Sequence, residues 1–131
     1  MVEIRSRFAV DDDALSALHA RAFGTPDARA SPWRERLERH SVAWVGAFDG
    51  DLVGFVHAAW DGGAHGFLLD TVVDPSYQRR GIGLSLVERL REDVAAAGCS
   101  WLHVDFEPHL ADFYARCGFR ATSAGLLRLE A

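Results

Sequence analysis

Six residues, Gln78-Arg79-Arg80-Gly81-Ile82-Gly83, have the composition of an anion cradle. They follow the apolar stretch Phe67 to Val73 and open the helix-like stretch Leu84 to Ala97, so a strand feeds a helix N-terminus there. The first N–H groups of a helix lack intrahelical partners, and the macrodipole adds partial positive charge at that end. Such places bind phosphate. Neighbouring guanidiniums, here Arg79 and Arg80, would add charge-assisted contacts. A phosphorylated cofactor is the chemistry this segment predicts, although a glycine pair by itself is also ordinary turn chemistry.

Two nucleotide readings fit poorly. A Walker loop needs a lysine after its last glycine, and none follows here. A dinucleotide fingerprint needs a third glycine where Leu86 stands, and it follows the first strand of its unit, not the fourth. With 131 residues and a net charge of −5, the chain is expected to form one domain spanning 1–131, and its acidity argues against nucleic acid as a partner. No stretch reads as a secretory leader or a membrane span. Cys99 and Cys117 are too far apart for a CxxC motif, so reduced thiols and a cytoplasmic location are expected.

The elements that must position the loop can be read from periodicity. Val2 to Phe8 alternates as a strand, and Asp11-Asp12-Asp13 is an acidic cap for a helix over Ala14 to Phe23. Gly24-Thr25-Pro26 breaks that helix. Ser31-Pro32 reads as the N-cap and first residue of a second helix through Arg39. Val42 to Phe48 and Leu52 to Trp60 form a hairpin through Asp49-Gly50, and Gly66 to Val73 follows after Asp61-Gly62-Gly63. The strongest helix is Ile82 to Ala97, with Leu86, Val87, Leu90 and Val94 on one face. A strand over Ser100 to Phe106, a short helix from Pro108 to Cys117, and strands at Phe119 to Thr122 and Gly125 to Glu130 complete the expectation. The order predicts an α/β (α+β) domain: a mixed, mostly antiparallel sheet with a parallel pair around the long helix, and helices on both faces.

With this order in place, Gln-x-x-Gly-x-Gly after Val72-Val73-Asp74-Pro75 resembles the coenzyme A motif of the GNAT superfamily of N-acetyltransferases. Phe113-Tyr114-Ala115-Arg116-Cys117-Gly118-Phe119 resembles the family's FYxxxGF segment, and Leu68 to Val73 its central strand. The resemblance covers nearly the whole chain. It implies a GNAT-like domain whose central parallel pair splays into a cofactor cleft, and transfer of an acetyl group from acetyl-coenzyme A to an amine without a covalent enzyme intermediate. No metal is implied. The acceptor would be a small-molecule amine or a protein amino group, and a homodimer is a possible assembly.

Roles follow residue by residue from that resemblance. The pyrophosphate would sit on backbone N–H groups from Arg79, Arg80, Gly81, Ile82 and Gly83 to Leu84, with Gln78 in the motif and a hydroxyl from Ser85. Either arginine could equally face water. The pantetheine arm would pair with backbone groups of Val72 and Val73, where an N–H can stabilise an oxyanion. Tyr114 matches the tyrosine that protonates the leaving thiolate, the alternative being one more apolar-face aromatic beside Leu110, Phe113 and Cys117. Many family members carry a glutamate base where this chain has Leu69. The neighbouring Asp70 should point to the opposite face, as a buried structural acid or a substrate contact. Period-two alternation puts His103, Asp105 and Glu107 on one strand face, making Asp105 and Glu107 candidates for base or amine binding, with helix capping the other role for Glu107. A straight strand splays such ligands too far apart for one metal ion. Trp33, Trp44, His57 and Trp60 are candidates to line the acceptor pocket, or else core and surface aromatics.

Overall fold

Asp11 begins the first helix as expected. In the computed structural model, which describes residues 1–24 and 29–130, its carboxylate accepts the Ala14 N–H at 3.0 Å. Helix α1 (Asp12–Phe23) follows strand β1 (Glu3–Ser6) and ends on Gly24, whose φ of 66° is the left-handed turn that glycine adopts without strain. The Thr25-Pro26 part of the expected break lies outside the described residues. Helix α2 (Trp33–His40) is not capped by Ser31. Asp12 of α1 takes that role across space, its Oδ1 accepting the Arg34 N–H at 2.8 Å.

Strands β2 (Ser41–Asp49), β3 (Asp51–Trp60) and β4 (His65–Val73) form the meander. Gly50, with φ 74°, turns the first hairpin, and Asp61 Oδ1 closes the second turn by accepting the Gly63 N–H at 2.8 Å. Helix α3 (Ile82–Ala96), strand β5 (Trp101–Val104) and helix α4 (Ala111–Arg116) follow. The sheet runs β1-β2-β3-β4-β5, antiparallel except for the parallel β4–β5 pair that α3 connects. Among the described residues, no helix is long and apolar enough to cross a membrane.

Two cores sit on opposite faces of the sheet. Under α3, Leu86, Val87 and Leu90 pack with Val45, Val56 and Leu68, almost wholly shielded from solvent. Under α1 and α2, Leu15, Leu18, Trp33 and Leu37 pack on Phe55 and Val72. Each such side chain contributes about 1.5–3 kcal/mol relative to exposure.

Two expectations fail here. Strand β5 stops at Val104, so the alternation proposed through Glu107 does not extend that far. The two final strands do not form: Arg120 to Glu130 is irregular and exposed throughout. Leu126, Leu127 and Leu129 stay exposed to solvent, and Ala121, Ala124 and Gly125 are weak strand formers. The parallel pair therefore lies at the edge of the described sheet.

Candidate active site

The parallel pairing between β4 and β5 ends at Leu68 opposite Val104, and the last five residues of β4 continue without β5. A bulge sits at the point of parting. Between the pairs Phe55–Val72 and His57–Leu69, β3 supplies only Val56 against two β4 residues, Asp70 and Thr71. Asp70 absorbs the extra residue with φ 57°, a left-handed conformation costing a non-glycine residue about 1 kcal/mol or more. The bulge resets the alternation. Asp70 therefore stays on the α1 side with Leu69, contrary to the expectation that it would face away, and Thr71 turns to the other side.

Below the parting lies the N-terminus of α3. Gly81 is its N-cap at φ 77°, and no side chain caps it. Arg79, at φ 64°, is also left-handed, so the loop curls its backbone N–H groups toward one side. The Ser85 N–H is taken by the Gly81 carbonyl at 3.1 Å, whereas those from Arg79 through Leu84 have no protein acceptor among the described residues. A Cβ on Gly81 would meet nothing within 4 Å, but one on Gly83 would lie 3.3 Å from the Phe113 ring. Gly81 thus serves the curl, and Gly83 serves the approach of α3 to α4. Gln78 Nε2 donates to the Val73 carbonyl at 3.2 Å and ties the loop to β4. Arg80 donates to the Ser76 carbonyl and lies over the Tyr77 ring, while Arg79 is exposed. This open cradle of donors fits a pyrophosphate.

On the α3 side of the parting, Tyr114 is 5% exposed, the most buried residue of α4 rather than a neighbour of its buried stripe. Its ring stacks on Phe106 and meets Phe113 and Phe119 edge-on. The Oη donates to Thr71 Oγ1 at 3.2 Å, and burial pushes the phenol above its ordinary pKa. A phenol held protonated beside the parted strand can act as an acid.

On the α1 side, Asp70 accepts two hydrogen bonds, from His57 Nε2 at 2.8 Å and from His19 Nε2 at 3.1 Å. Burial alone would raise its carboxyl pKa, but the bonds from His57 and His19 outweigh that, leaving it below the usual range. An ionised carboxylate only accepts, so both Nε2 atoms carry the hydrogen. His57 Nδ1 then accepts from the Ser41 hydroxyl at 2.9 Å. His57 is nearly fully buried and stacks on Phe55. Trp33, 4% exposed, is a core residue that reaches the site by packing on His19 and His57. A cavity of about 190 Å³ lies beside His57 and Leu69, rimmed by Arg36 and His40. A larger hollow, about 570 Å³ between Arg7, Trp44 and Arg34, is lined by neither β4 nor β5.

Other expected residues are dispersed. Trp44 is buried near β1, where its Nε1 donates to the Phe8 carbonyl, and Trp60 is partly exposed at the far end of β3. Asp105 and Glu107 lie past β5, both exposed, and the Glu107 side chain caps nothing. His103 bonds His65 across the β4–β5 pair at 2.8 Å. Among the described residues, no three His, Cys, Asp or Glu gather as metal ligands. Cys99 and Cys117 are free thiols. Sequence reasoning missed His19 and Ser41, because their link to the site runs through Asp70 and His57, far away in the chain.

A parallel pair parted over a glycine-opened helix N-terminus, with a phenol in the gap, defines the acetyltransferase class that the sequence motifs resembled. The chain belongs to the acetyltransferase (GNAT) family, whose model matches residues 12–119. Serotonin N-acetyltransferase 2, chloroplastic, of Oryza sativa subsp. japonica is 34% identical over 119 residues, covering 88% of this chain and 59% of that protein. A probable glucosamine 6-phosphate N-acetyltransferase 2 of the same plant is 45% identical over 58 residues, covering 44% of this chain and 35% of that one. The matched stretch thus spans less than two thirds of either relative. The same fold occurs in AAC(6′)-Iy, whose structure is a complex with the bisubstrate analogue CoA-S-monomethyl-acetylneamine (TM-score 0.79, 21% identity, 100% of this chain and 99% of that one).

Proposed function

We propose that the chain is an acetyl-coenzyme A-dependent N-acetyltransferase that moves the acetyl group directly to an amine within a ternary complex. The observation that carries this is the alignment of three features at one strand end: the donor cradle at Arg79 to Leu84, the reach of β4 at Leu69 to Val73 that β5 leaves open, and the Tyr114 phenol at Thr71. The cosubstrate supplies an activated thioester. The cradle holds its pyrophosphate, with Ser85 adding a hydroxyl and Arg79 free to swing toward phosphate. The backbone of Val72 and Val73 aligns the extended arm, and an N–H there stabilises the oxyanion. Tyr114 protonates the departing thiolate.

The acceptor enters from the α1 side, where the Asp70 carboxylate attracts a cationic amine and Leu69, His57 and Arg36 border the cavity. Asp105 and Glu107 offer further carboxylates just past β5. Serotonin and glucosamine 6-phosphate, the amines in the names of the relatives, are the first acceptors to try, alongside a lysine peptide for protein amino groups. The test is release of free thiol from acetyl-coenzyme A with each amine. Amine-dependent thiol release supports the proposal. Tight binding without transfer would favour the second reading, an acyl-coenzyme A sensor, which the apolar Leu69 at the glutamate position favours. A homodimer would give the exposed edge of β5 and Leu126, Leu127 and Leu129 a partner, and sedimentation of the intact chain reads that out.

A further inference from the structure

We infer that His19 is the general base for the acceptor amine, held in its working tautomer by Asp70, with His57 and Ser41 as positioning residues behind it. This rests on the proposed acetyl transfer and adds a residue and an atom to it.

Asp70 stands between two histidines. It occupies the bulge where β4 leaves β5, in a strained conformation, and both of its oxygens are engaged by imidazoles. The two histidines are not equivalent. His57 is 5% exposed, and its second nitrogen is consumed by Ser41. The His19 imidazole is 30% exposed, and Nδ1 has no hydrogen bond to any described residue. Because Nε2 carries the hydrogen given to Asp70, Nδ1 of neutral His19 carries the lone pair. The ring is held from its sides by Phe23 and Trp33, with centroids 4.6 and 5.4 Å away. One accessible, oriented proton acceptor thus lies on the α1 side of β4, the side from which the acceptor is proposed to enter. The Tyr114 phenol reaches the very next residue, Thr71, from the opposite side of the sheet.

The step balances with these two groups. His19 Nδ1 first takes a proton from the ammonium form of the amine, and the freed nitrogen lone pair then bonds to the thioester carbonyl carbon as the C–S bond breaks. Tyr114 gives its phenolic proton to the sulfur. The new C–N nitrogen sheds its second proton through solvent to the Tyr114 oxygen, His19 releases its own to solvent, and the products are the amide and the free thiol. The imidazolium formed in between faces the Asp70 carboxylate, which stabilises it.

The test compares wild type with His19→Gln in the intact chain. A glutamine amide can still donate to Asp70 but cannot take a proton. Serotonin, glucosamine 6-phosphate, spermidine and a lysine peptide serve as acceptors. The expected result is a fall in kcat of about 100-fold at neutral pH, with unchanged acetyl-coenzyme A affinity and thermal melt. The deficit should shrink as pH rises past the acceptor's own pKa, where the amine needs no base to become neutral. A structural role would not produce that convergence. Independently of turnover, nitrogen NMR of the free protein should show His19 as the Nε2–H tautomer, and an Nδ1–H tautomer would overturn the inference. An active wild type with unchanged turnover in the variant overturns the inference and leaves acetyl transfer standing. A wild type that acetylates none of the four amines fails at the transfer reading itself and takes the inference down with it.

Discussion

The two sides of β4 at its bulge are built in different ways. On the α3 side, Tyr114 comes from a contiguous segment and reaches Thr71 by one hydrogen bond, its ring held by three aromatics. On the α1 side, the polar cluster is drawn from four elements: His19 on α1, Ser41 on β2, His57 on β3 and Asp70 on β4. A group that gives a proton needs only burial to keep that proton. A group that takes one must be oriented and electrostatically supported, which requires several partners. The acid side can therefore be changed by one substitution with little structural cost, whereas the base side couples chemistry to stability.

The sharpest break of that contrast is Asp70→Asn. It removes the anion facing both histidines, and we expect kcat to fall about 100- to 1000-fold, with a loss of about 1–3 kcal/mol in denaturant melts. The pH sign follows from the depressed carboxyl. Its stabilisation is present above the ordinary Asp value, about 4, and is lost as pH falls through the lower folded value. The stability gap between wild type and variant should therefore be open at pH 7 and close in acid. A gap independent of pH would show that the carboxylate charge is not what matters.

Tyr114→Phe should separate the sides from the other direction. The aromatic stack survives, so the melt should change by less than about 1 kcal/mol, while kcat falls about 10- to 100-fold with unaltered acetyl-coenzyme A affinity. Equal turnover would remove the acid role. Ser85→Glu then probes the cradle that both sides share. A carboxylate in the first turn of α3 favours the helix by about 0.3–1 kcal/mol, yet it should weaken acetyl-coenzyme A binding by about 10-fold in calorimetry through repulsion of phosphate. Unchanged affinity would place the phosphates elsewhere. The smallest effect belongs to Gly83→Ala, whose Cβ would press on the Phe113 ring at 3.3 Å. The melt should drop by about 1 kcal/mol or less, and an unchanged melt would mean that Phe113 yields freely. For this reason a bulky residue at Gly83 confuses packing with phosphate repulsion.

How much was legible in the sequence divides along the same line. The glycine loop, the long helix, the meander and Tyr114 were readable because each depends on neighbours in the chain: apolar spacing, caps and a contiguous motif. The bulge was not. Nothing in Leu68-Leu69-Asp70-Thr71 marks an extra residue, since it is defined by what Val56 opposes on β3. With the bulge unseen, strict alternation sent Asp70 to the wrong face, and the base was sought along β5, at Asp105 and Glu107. His19 lay one position from the buried Leu18 and looked like an ordinary residue on the helix flank. The tail misled in the opposite sense: its leucines suggest a strand, yet Arg120 to Glu130 is irregular and exposed and leaves the β5 edge uncovered among the described residues.

The most direct measurement is a crystal structure of the chain with a non-hydrolysable acetyl-coenzyme A analogue. The pyrophosphate is expected on the N–H groups of Arg79 to Leu84. The carbonyl carbon is expected between the two sides of the bulge, with Tyr114 Oη and His19 Nδ1 each within direct or one-water hydrogen-bonding reach of the reacting atoms, about 3 Å per step. An analogue bound away from the parted strands, or one whose carbonyl is walled off from His19, would contradict this arrangement.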